Sequence, residues 1–246
     1  MGYRVLAVSL FVQPHVALIA TTSLWLPDTP DYSLGEDSLD DGEELAVFAG
    51  RTCYQSWERP NPETATTRGY LKNILRQKHW SVLEHANATF YITGVSRSLT
   101  HELIRHRHIP RSELSQRYVD ADEINFVIPP LYENDPEAIH DLEQSARAAL
   151  SKYHKWVDIY RGRGASHKEA REAARAHLPG NAETRIVVTG NYRAWIDFLI
   201  QRDADGVDKE MRRIAAWIGR ELRDQAPNVF GPSAREIWQP SSTQAA

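Results

Sequence analysis

Cysteine and long apolar runs are the two features that this sequence has least of. Of its 246 residues only Cys53 is a cysteine, which excludes an internal disulfide framework and a multi-cysteine zinc site. No run of 18 apolar residues occurs, so no membrane-spanning helix and no membrane partner are expected. The net charge is −4, whereas a general nucleic-acid-binding protein is usually basic. These absences favour an ordinary globular protein without a nucleic-acid partner, and the single cysteine fits a cytoplasmic location.

The apolar start of the chain favours a strand over a signal peptide. It carries one arginine, and its apolar run is interrupted by Gln13, Pro14 and His15. It also lacks a clean cleavage site of small residues. We therefore expect a strand over residues 3–12.

The periodicity of apolar residues predicts helices and strands without regular βαβ alternation. Helices are expected over residues 43–50, 64–77, 98–107, 135–160, 166–176, 192–200 and 208–222. Strands are expected over residues 3–12, 86–95, 124–128 and 185–189. Ser166 and Glu169 are spaced as a capping box at the start of a helix. This mixture favours an α+β fold over a doubly wound sheet.

Two segments are expected to lie outside the folded core. Residues 28–44 contain eight acids and no base, which is typical of a solvated surface loop. Residues 232–246 are predicted to form a flexible tail. One domain is therefore expected over residues 1–231, with the acidic loop as an insertion in it.

Three other features of the sequence do not indicate a functional site. The HELIR sequence at His101 has Arg105 where a zinc-binding helix needs its second histidine, so no metal site is predicted. The GRGASH sequence at Gly162 lacks the last glycine of a dinucleotide-binding turn and follows a helix. Cys53 could be a nucleophile in principle, but a buried structural thiol is the more common case.

The sequence from Arg105 to Tyr118, RHRHIPRSELSQRY, is the strongest candidate for a functional site. Between Arg97 and Tyr118 there are five arginines and three histidines but two glutamates. The three residues Arg105–Arg107 are expected at a helix C-terminus, where cations are favoured and successive side chains point about 100° apart. Arginines, a serine hydroxyl and turn N–H groups together suit a phosphate. The residues alone therefore predict an anion-binding site.

The chain also resembles a known family at these residues. An R-H-R triplet separated by seven residues from a serine is the signature of the flavin-dependent thymidylate synthases, and it occurs here as Arg105-His106-Arg107 and Ser115. Further blocks resemble that family: HWSVLEH at His79, ARAHLP at Ala174, TRIVVTGNYRAW at Thr184 and QRDAD at Gln201. The similarity is continuous from about residue 50 to residue 205.

The resemblance implies an enzyme that converts dUMP to dTMP. It implies 5,10-methylenetetrahydrofolate as carbon donor, tightly bound FAD as hydride carrier, NADPH as reductant, and a homotetramer with active sites shared between subunits. The implied fold is a single mixed domain with a central, largely antiparallel sheet flanked by helices.

Site residues follow from the same resemblance. Implied flavin contacts are Ser81, Arg105, His106, Arg107, Glu113, Asn191, Tyr192, Arg193 and Asp197. Implied dUMP contacts are Glu102, Leu103, Ile104, Arg105, Glu113, Leu114, Ser115, Gln116, Arg117, Arg175 and Arg202. The implied catalytic residues are Arg202, Ser115 and His79, with Arg202 stabilising negative charge on the uracil ring.

Alternatives to these roles remain. Ser115 is interpreted as part of a phosphate cradle, with attack by its hydroxyl as the alternative, because no general base lies at useful spacing. Glu102 stands where other members have glutamine, and Asp197 where they have asparagine or histidine. A regulator that kept the fold but lost catalysis and a nucleic-acid-binding module are the rival functions. The retained His79 and Arg202 disfavour the first, and the net charge disfavours the second.

Overall fold

The computed structural model describes residues 10–27, 40–58, 61–120 and 124–240. Its strands are β1 (Phe11–Val12), β2 (His15–Thr21), β3 (Asn87–Ser96), β4 (Arg111–Glu113), β5 (Phe126–Val127) and β6 (Glu183–Asn191). Its α-helices are α1 (Asp41–Tyr54), α2 (Thr67–Gln77), α3 (Arg97–Leu103), α4 (Pro136–Gly162), α5 (His167–Ala174), α6 (Tyr192–Arg202), α7 (Lys209–Gln225), α8 (Pro227–Phe230) and α9 (Pro232–Trp238). Short 3-10 helices cover Pro62–Thr64, Trp80–Glu84 and Arg175–His177.

The strands form one larger and one smaller sheet. Four antiparallel strands lie in the order β2-β3-β6-β4, and β1 pairs in parallel with β5. Helices flank the larger sheet, so the expected α+β class with a largely antiparallel sheet is confirmed. In the described part of the chain, no helix is both long and apolar enough to cross a membrane.

The residues group into two compact units that each draw on separated stretches of chain. Among the described residues, the first takes 10–15, 92–105, 112–120 and 124–187, and the second takes 16–27, 40–58, 61–91, 106–111 and 188–240. Strands β3 and β6 contribute residues to both units.

The core of the first unit lies beside the long helix α4. Its fully buried members are Ile124, Phe126, Ala146, Tyr153, Ala174 and Ala182. The expected capping box starts α5: Ser166 Oγ accepts the Glu169 N–H, and the Glu169 carboxylate accepts the Ser166 N–H at 2.9 Å. The box fixes where α5 begins, and therefore where its arginines lie.

The core of the second unit is built around helix α6. Trp195 meets Phe90 edge-on, with ring centroids 5.1 Å apart, and Phe198 at 5.5 Å. The indole Nε1 of Trp195 donates to the carbonyl of Ala88 at 3.1 Å, which satisfies the only polar atom of a fully buried ring. This packing fixes α6 against β3.

Several expectations about local structure are wrong. Helix α3 ends at Leu103, so Arg105–Arg107 lie in the turn after it and not at its last turn. That turn is closed by the Ile109 N–H donating to the His106 carbonyl at 3.2 Å. Strands β2 and β4 were not predicted, because they are short or irregular in their alternation.

The two segments expected outside the core are partly described. Residues 40–44 belong to the start of α1, where Asp40 caps the helix, so the acidic loop ends earlier than expected. The predicted tail begins with helix α9, in which Ala234 and Trp238 are buried, so its first part is not a flexible tail. Residues 3–9 of the predicted first strand, residues 28–39 of the loop and residues 241–246 lie outside the described residues.

Candidate functional site

In the first unit, Glu113 is fixed by three donors. It lies on the edge strand β4, and its Oε1 accepts from Thr100 Oγ1 at 3.1 Å and from Thr184 Oγ1 at 3.0 Å. Arg97 Nη1 lies 3.2 Å from the same oxygen. Three donors on one oxygen set the direction of the carboxylate.

The residues after Glu113 form a compact turn. The carbonyl of Ser115 accepts the N–H groups of Tyr118 and Val119 at 3.1 and 3.0 Å. Ser115 Oγ accepts the Arg117 N–H at 3.4 Å. Gln116 is buried, and its Nε2 has no hydrogen-bond partner in the described part of the chain. A buried unpaired donor is uncommon, so this turn has the chemistry to receive an acceptor from outside the chain.

Helix α5 holds this turn in place with charged side chains. Arg171 donates to the Tyr118 carbonyl at 2.7 Å and to the Asp120 carboxylate at 2.6 Å. Arg117 Nε lies 2.8 Å from the carboxylate of Glu172 on the same helix. Arg175 follows four residues after Arg171, on the next turn, and is exposed. The expected phosphate-binding residues therefore lie on the 3-10 extension of α5 and on the turn that α5 supports.

The end of α3 supplies the other expected substrate contacts of this unit. Ile104 and Arg105 are exposed, and Glu102 is half-buried. Leu103 is 2% exposed and belongs to the core. Its side chain faces the core, so the expected substrate contact of Leu103 stays a prediction that concerns its backbone.

In the second unit, His106 and Arg202 meet directly. Arg202 Nε donates to His106 Nε2 at 2.9 Å, although 96 residues separate them in sequence. Burial, and secondly the charge of Arg202, lower the pKa of His106 to about 4. The imidazole is therefore neutral at physiological pH. The flanking Arg105 and Arg107 are exposed, so the buried histidine and the two solvated arginines have different surroundings.

A cavity of about 620 Å³ adjoins the HWSVLEH segment in this unit. It is lined by the expected site residues His79, Ser81 and Arg193. Its remaining lining mixes aromatic walls with polar groups: Gly50, Cys53, Tyr54, Ser56, Tyr70, Asn73, Ile74, Lys78, Trp80 and Val82. Its size and its combination of flat apolar surface with cationic donors suit a nucleotide-like ligand.

A smaller cavity of about 240 Å³ lies at the start of α6. Three expected flavin contacts line it, Asn191, Arg193 and Asp197. Asn191 Oδ1 also caps α6 by accepting the Ala194 N–H at 2.8 Å. Arg193 lines both cavities and forms an ion pair with Glu84. One exposed guanidinium thus serves both cavities.

Tyr192, another expected flavin contact, lies elsewhere. Its side chain is fully buried, and its hydroxyl donates to Asp40 Oδ2 at 2.6 Å. Its ring packs edge-on against Phe230 at 5.2 Å. The aromatic ring therefore anchors the turn of residues 191–193 from inside the core, and the expected flavin contact of that turn stays a prediction.

Sequence reasoning missed some lining residues and misjudged one. Glu84 and His108 line the smaller cavity, and both could have been found because they lie within or beside the quoted HWSVLEH and RHR blocks. Cys53 was expected to be buried but is exposed and lines the larger cavity. It lies at the end of α1, away from the buried face that Val47 and Arg51 share.

Comparison with known proteins agrees with this geometry. Residues 36–228 match the family described as thymidylate synthase complementing protein. A protein of Mycobacteroides abscessus named flavin-dependent thymidylate synthase is 48% identical over 224 residues, which cover 88% of each chain. Proteins of the same name from Mycolicibacterium vanbaalenii and Mycobacterium tuberculosis are 49% identical over 223 residues, again 88% of each chain. The chain therefore belongs to the thymidylate synthase complementing protein family, the flavin-dependent thymidylate synthases.

Proposed function

We propose that this protein is a thymidylate synthase that converts dUMP to dTMP, with 5,10-methylenetetrahydrofolate as carbon donor and NADPH as the reductant of bound FAD. The observation that carries the proposal is the cavity of about 620 Å³, because it brings together residues from two separate sequence blocks. His79 and Ser81 come from one block and Arg193 from the other. Relatives that are 48% and 49% identical are named flavin-dependent thymidylate synthase, which supports the synthase activity and the flavin.

The donors of the second unit fit a flavin nucleotide. Arg193 and Lys78 supply positive charge for a pyrophosphate, and Tyr70 and Trp80 supply flat apolar walls. Asn191 and His108 add polar groups at the smaller cavity. Bound FAD would supply hydride transfer, and the protein would supply position and charge. For Arg105, Arg107 and Glu113, the flavin contacts are proposed from the resemblance alone.

In the first unit, we assign the dUMP phosphate to Arg117 and Arg175, with Ser115 beside them. Arg117 is paired with Glu172 through its buried Nε, although the two side chains as a whole are 39% and 49% exposed. The outer guanidinium N–H groups of Arg117 can therefore bind a phosphate, with or without displacement of the glutamate. The unpaired Nε2 of Gln116 supplies a further donor in the same turn. Glu102, Ile104 and Leu114 would complete the substrate contacts.

We assign charge stabilisation to Arg202 and not nucleophilic attack to Ser115. A guanidinium keeps its positive charge at any working pH, so it stabilises the negative charge that develops on uracil as C5 attacks carbon. Among the described residues, no histidine or carboxylate hydrogen-bonds to Ser115 Oγ, whose bond is to the Arg117 N–H. Without a base, the hydroxyl is a weak nucleophile.

The test combines colour with turnover. The purified protein is expected to be yellow, with a flavin absorbance spectrum, and to release tritium from dUMP labelled at C5 when NADPH and methylenetetrahydrofolate are present. Cys53→Ala should retain turnover, and Arg202→Ala should lose it with flavin still bound. A colourless protein that does not bind added FAD would overturn the proposal. Flavin binding without tritium release would favour the regulator that lost catalysis.

Assembly and location are proposed on the same basis. We expect a homotetramer whose active sites draw residues from more than one subunit, in the cytoplasm and without a nucleic-acid partner. Light scattering measures the mass. Mixing two inactive variants, Arg202→Ala and Arg175→Ala, should restore partial turnover if active sites are shared. A fully active monomer would overturn the sharing.

A further inference from the structure

His106 is the one buried side chain of the Arg105–Arg107 triplet. It is 8% exposed, whereas both flanking arginines are exposed. Its Nε2 accepts a hydrogen bond from Arg202 Nε at 2.9 Å, which is a normal length for such a bond. The histidine of the triplet is therefore hydrogen-bonded within the chain, and its partner is Arg202, the arginine that we assign to the uracil ring.

Helix α6 fixes the imidazole from two adjacent turns. The ring of His106 meets Phe198 edge-on, with centroids 5.0 Å apart and planes at 70°. Phe198 lies four residues before Arg202, so both project from one face of α6. Phe198 itself packs against Trp195, whose indole is bonded to β3. The imidazole has a defined position because its support is the rigid core of the second unit.

The bond has only one possible direction. An arginine side chain has five N–H donors and no acceptor, so His106 Nε2 must accept. That requires the neutral imidazole with its proton on Nδ1. Burial and the charge of Arg202 both lower the pKa of His106, to about 4, so this form predominates at neutral pH. The acceptor is therefore present under the conditions in which the enzyme would work.

We infer that His106 is a positioning residue for Arg202: its Nε2 holds the Nε edge of the guanidinium and so sets the plane of the remaining N–H groups. The inference rests on the proposed function, because it assigns Arg202 to the uracil ring. The guanidinium is planar, and fixing one N–H restricts the direction of all five. A displaced guanidinium would stabilise the charge on the ring less well, although substrate and flavin could still bind.

Two substitutions separate positioning from other roles. His106→Leu removes the acceptor and keeps apolar bulk on Phe198, and His106→Gln can place an amide oxygen close to the position of Nε2. We expect the leucine variant to lower kcat by about 10- to 100-fold, with FAD content and KM for NADPH unchanged. The glutamine variant should recover most of that loss. His101→Leu, at an exposed histidine of α3, is the matched control and should leave kcat unchanged.

Each contrary result has a distinct meaning. Wild-type kcat in His106→Leu would overturn the inference. Equal losses in the leucine and glutamine variants, accompanied by equal falls in Tm, would assign His106 a purely structural role. Loss of FAD from the leucine variant with retention of kcat on added FAD would make His106 a flavin ligand. Either of the last two results would also reject the inference that His106 positions Arg202.

A second measurement does not depend on activity. In protein labelled with nitrogen-15, the Nε–H of Arg202 should exchange slowly with solvent, and its signal is assigned by its disappearance in Arg202→Lys. Slow exchange should persist in His106→Gln and be lost in His106→Leu. A fast-exchanging Nε–H in the wild type would contradict the inference even if turnover is confirmed. Failure of tritium release with slow exchange would instead reject the proposed function alone.

Discussion

The hydroxyl of Tyr192 donates to Asp40 Oδ2 at 2.6 Å, across 152 residues of sequence. Asp40 is the N-cap of α1, and its carboxylate also accepts from the Glu43 N–H at 3.1 Å and from Gln225 Nε2 at 2.6 Å. One buried carboxylate thereby ties the start of α1 to α6 and α7. Because Tyr192 follows Asn191 and precedes Arg193, this buried anchor also fixes two residues that line the smaller cavity.

Tyr192→Phe should destabilise the protein without removing flavin binding outright. The change deletes one donor to a buried carboxylate and leaves the ring packing intact, so a loss of about 1–3 kcal/mol in unfolding free energy is expected. Urea denaturation measures that loss. Tyr54→Phe, at a tyrosine that is 70% exposed, is the control and should change stability by less than about 0.5 kcal/mol. Equal effects of the two substitutions would contradict the role of the Asp40 bond.

Gly42→Ala tests the same anchor from the opposite side. A Cβ at Gly42 would lie 2.6 Å from the Tyr192 hydroxyl oxygen, so either Tyr192 or α1 must move. Overpacking of this kind costs about 1–3 kcal/mol. Gly162→Ala, where a Cβ meets nothing within 4 Å, is the control and should be neutral or stabilising. If thermal unfolding places both variants at the same Tm, the close approach to Tyr192 has no energetic importance.

The parts of this site that sequence predicted are those that depend on local spacing. The capping box at Ser166, the α6 helix and the triplet at Arg105 can each be recognised within about a dozen residues. The burial of His106 could not be predicted, because it depends on Phe198 and Arg202, more than 90 residues away. The Asp40–Tyr192 hydrogen bond likewise joins residues that are far apart in sequence, 152 positions from each other. Strand β4 has three residues, too few for an alternation to be recognised, and is defined by its pairing with β6.

Glu43 should make the protein less stable as pH rises. Burial is the main cause that raises its pKa from 4.5 to about 7, and hydrogen bonds from Asn228 oppose the rise. Since the folded state binds the proton more tightly, this stabilisation is fully present below pH 4.5 and is lost as pH rises through about 7. The loss is on the order of 3 kcal/mol. Glu43→Gln should remove this contribution, so the slope of unfolding free energy against pH should become more positive between pH 5 and 7; an unchanged slope there would contradict the assignment.

Titration of His106 should change the stability of the protein with pH in the opposite direction to that of Glu43. Its pKa in the folded state is about 4, below its ordinary value of 6.5, because it is buried and faces Arg202. The folded state therefore binds the proton less tightly, and stability is full above pH 6.5 and falls as pH decreases through about 4. The two groups largely offset each other between pH 4.5 and 6.5. In Glu43→Gln, stability should therefore rise with pH over that window, and in Glu43→Gln with His106→Gln it should not.

Thr184→Val should weaken the site through Glu113 while leaving the fold nearly unchanged. Valine has the shape of threonine, so packing at this fully buried position is kept, and one of the three donors to Glu113 Oε1 is lost. Loss of a hydrogen bond to a charged group costs about 1.5–3 kcal/mol. If half of that cost falls on the direction of the carboxylate, dUMP should bind roughly 4- to 12-fold more weakly. The flavin absorbance change during a dUMP titration measures the affinity, and Thr52→Val, on the exposed face of α1, is the control. Unaltered dUMP affinity in Thr184→Val would mean that Arg97 and Thr100 alone suffice to direct Glu113.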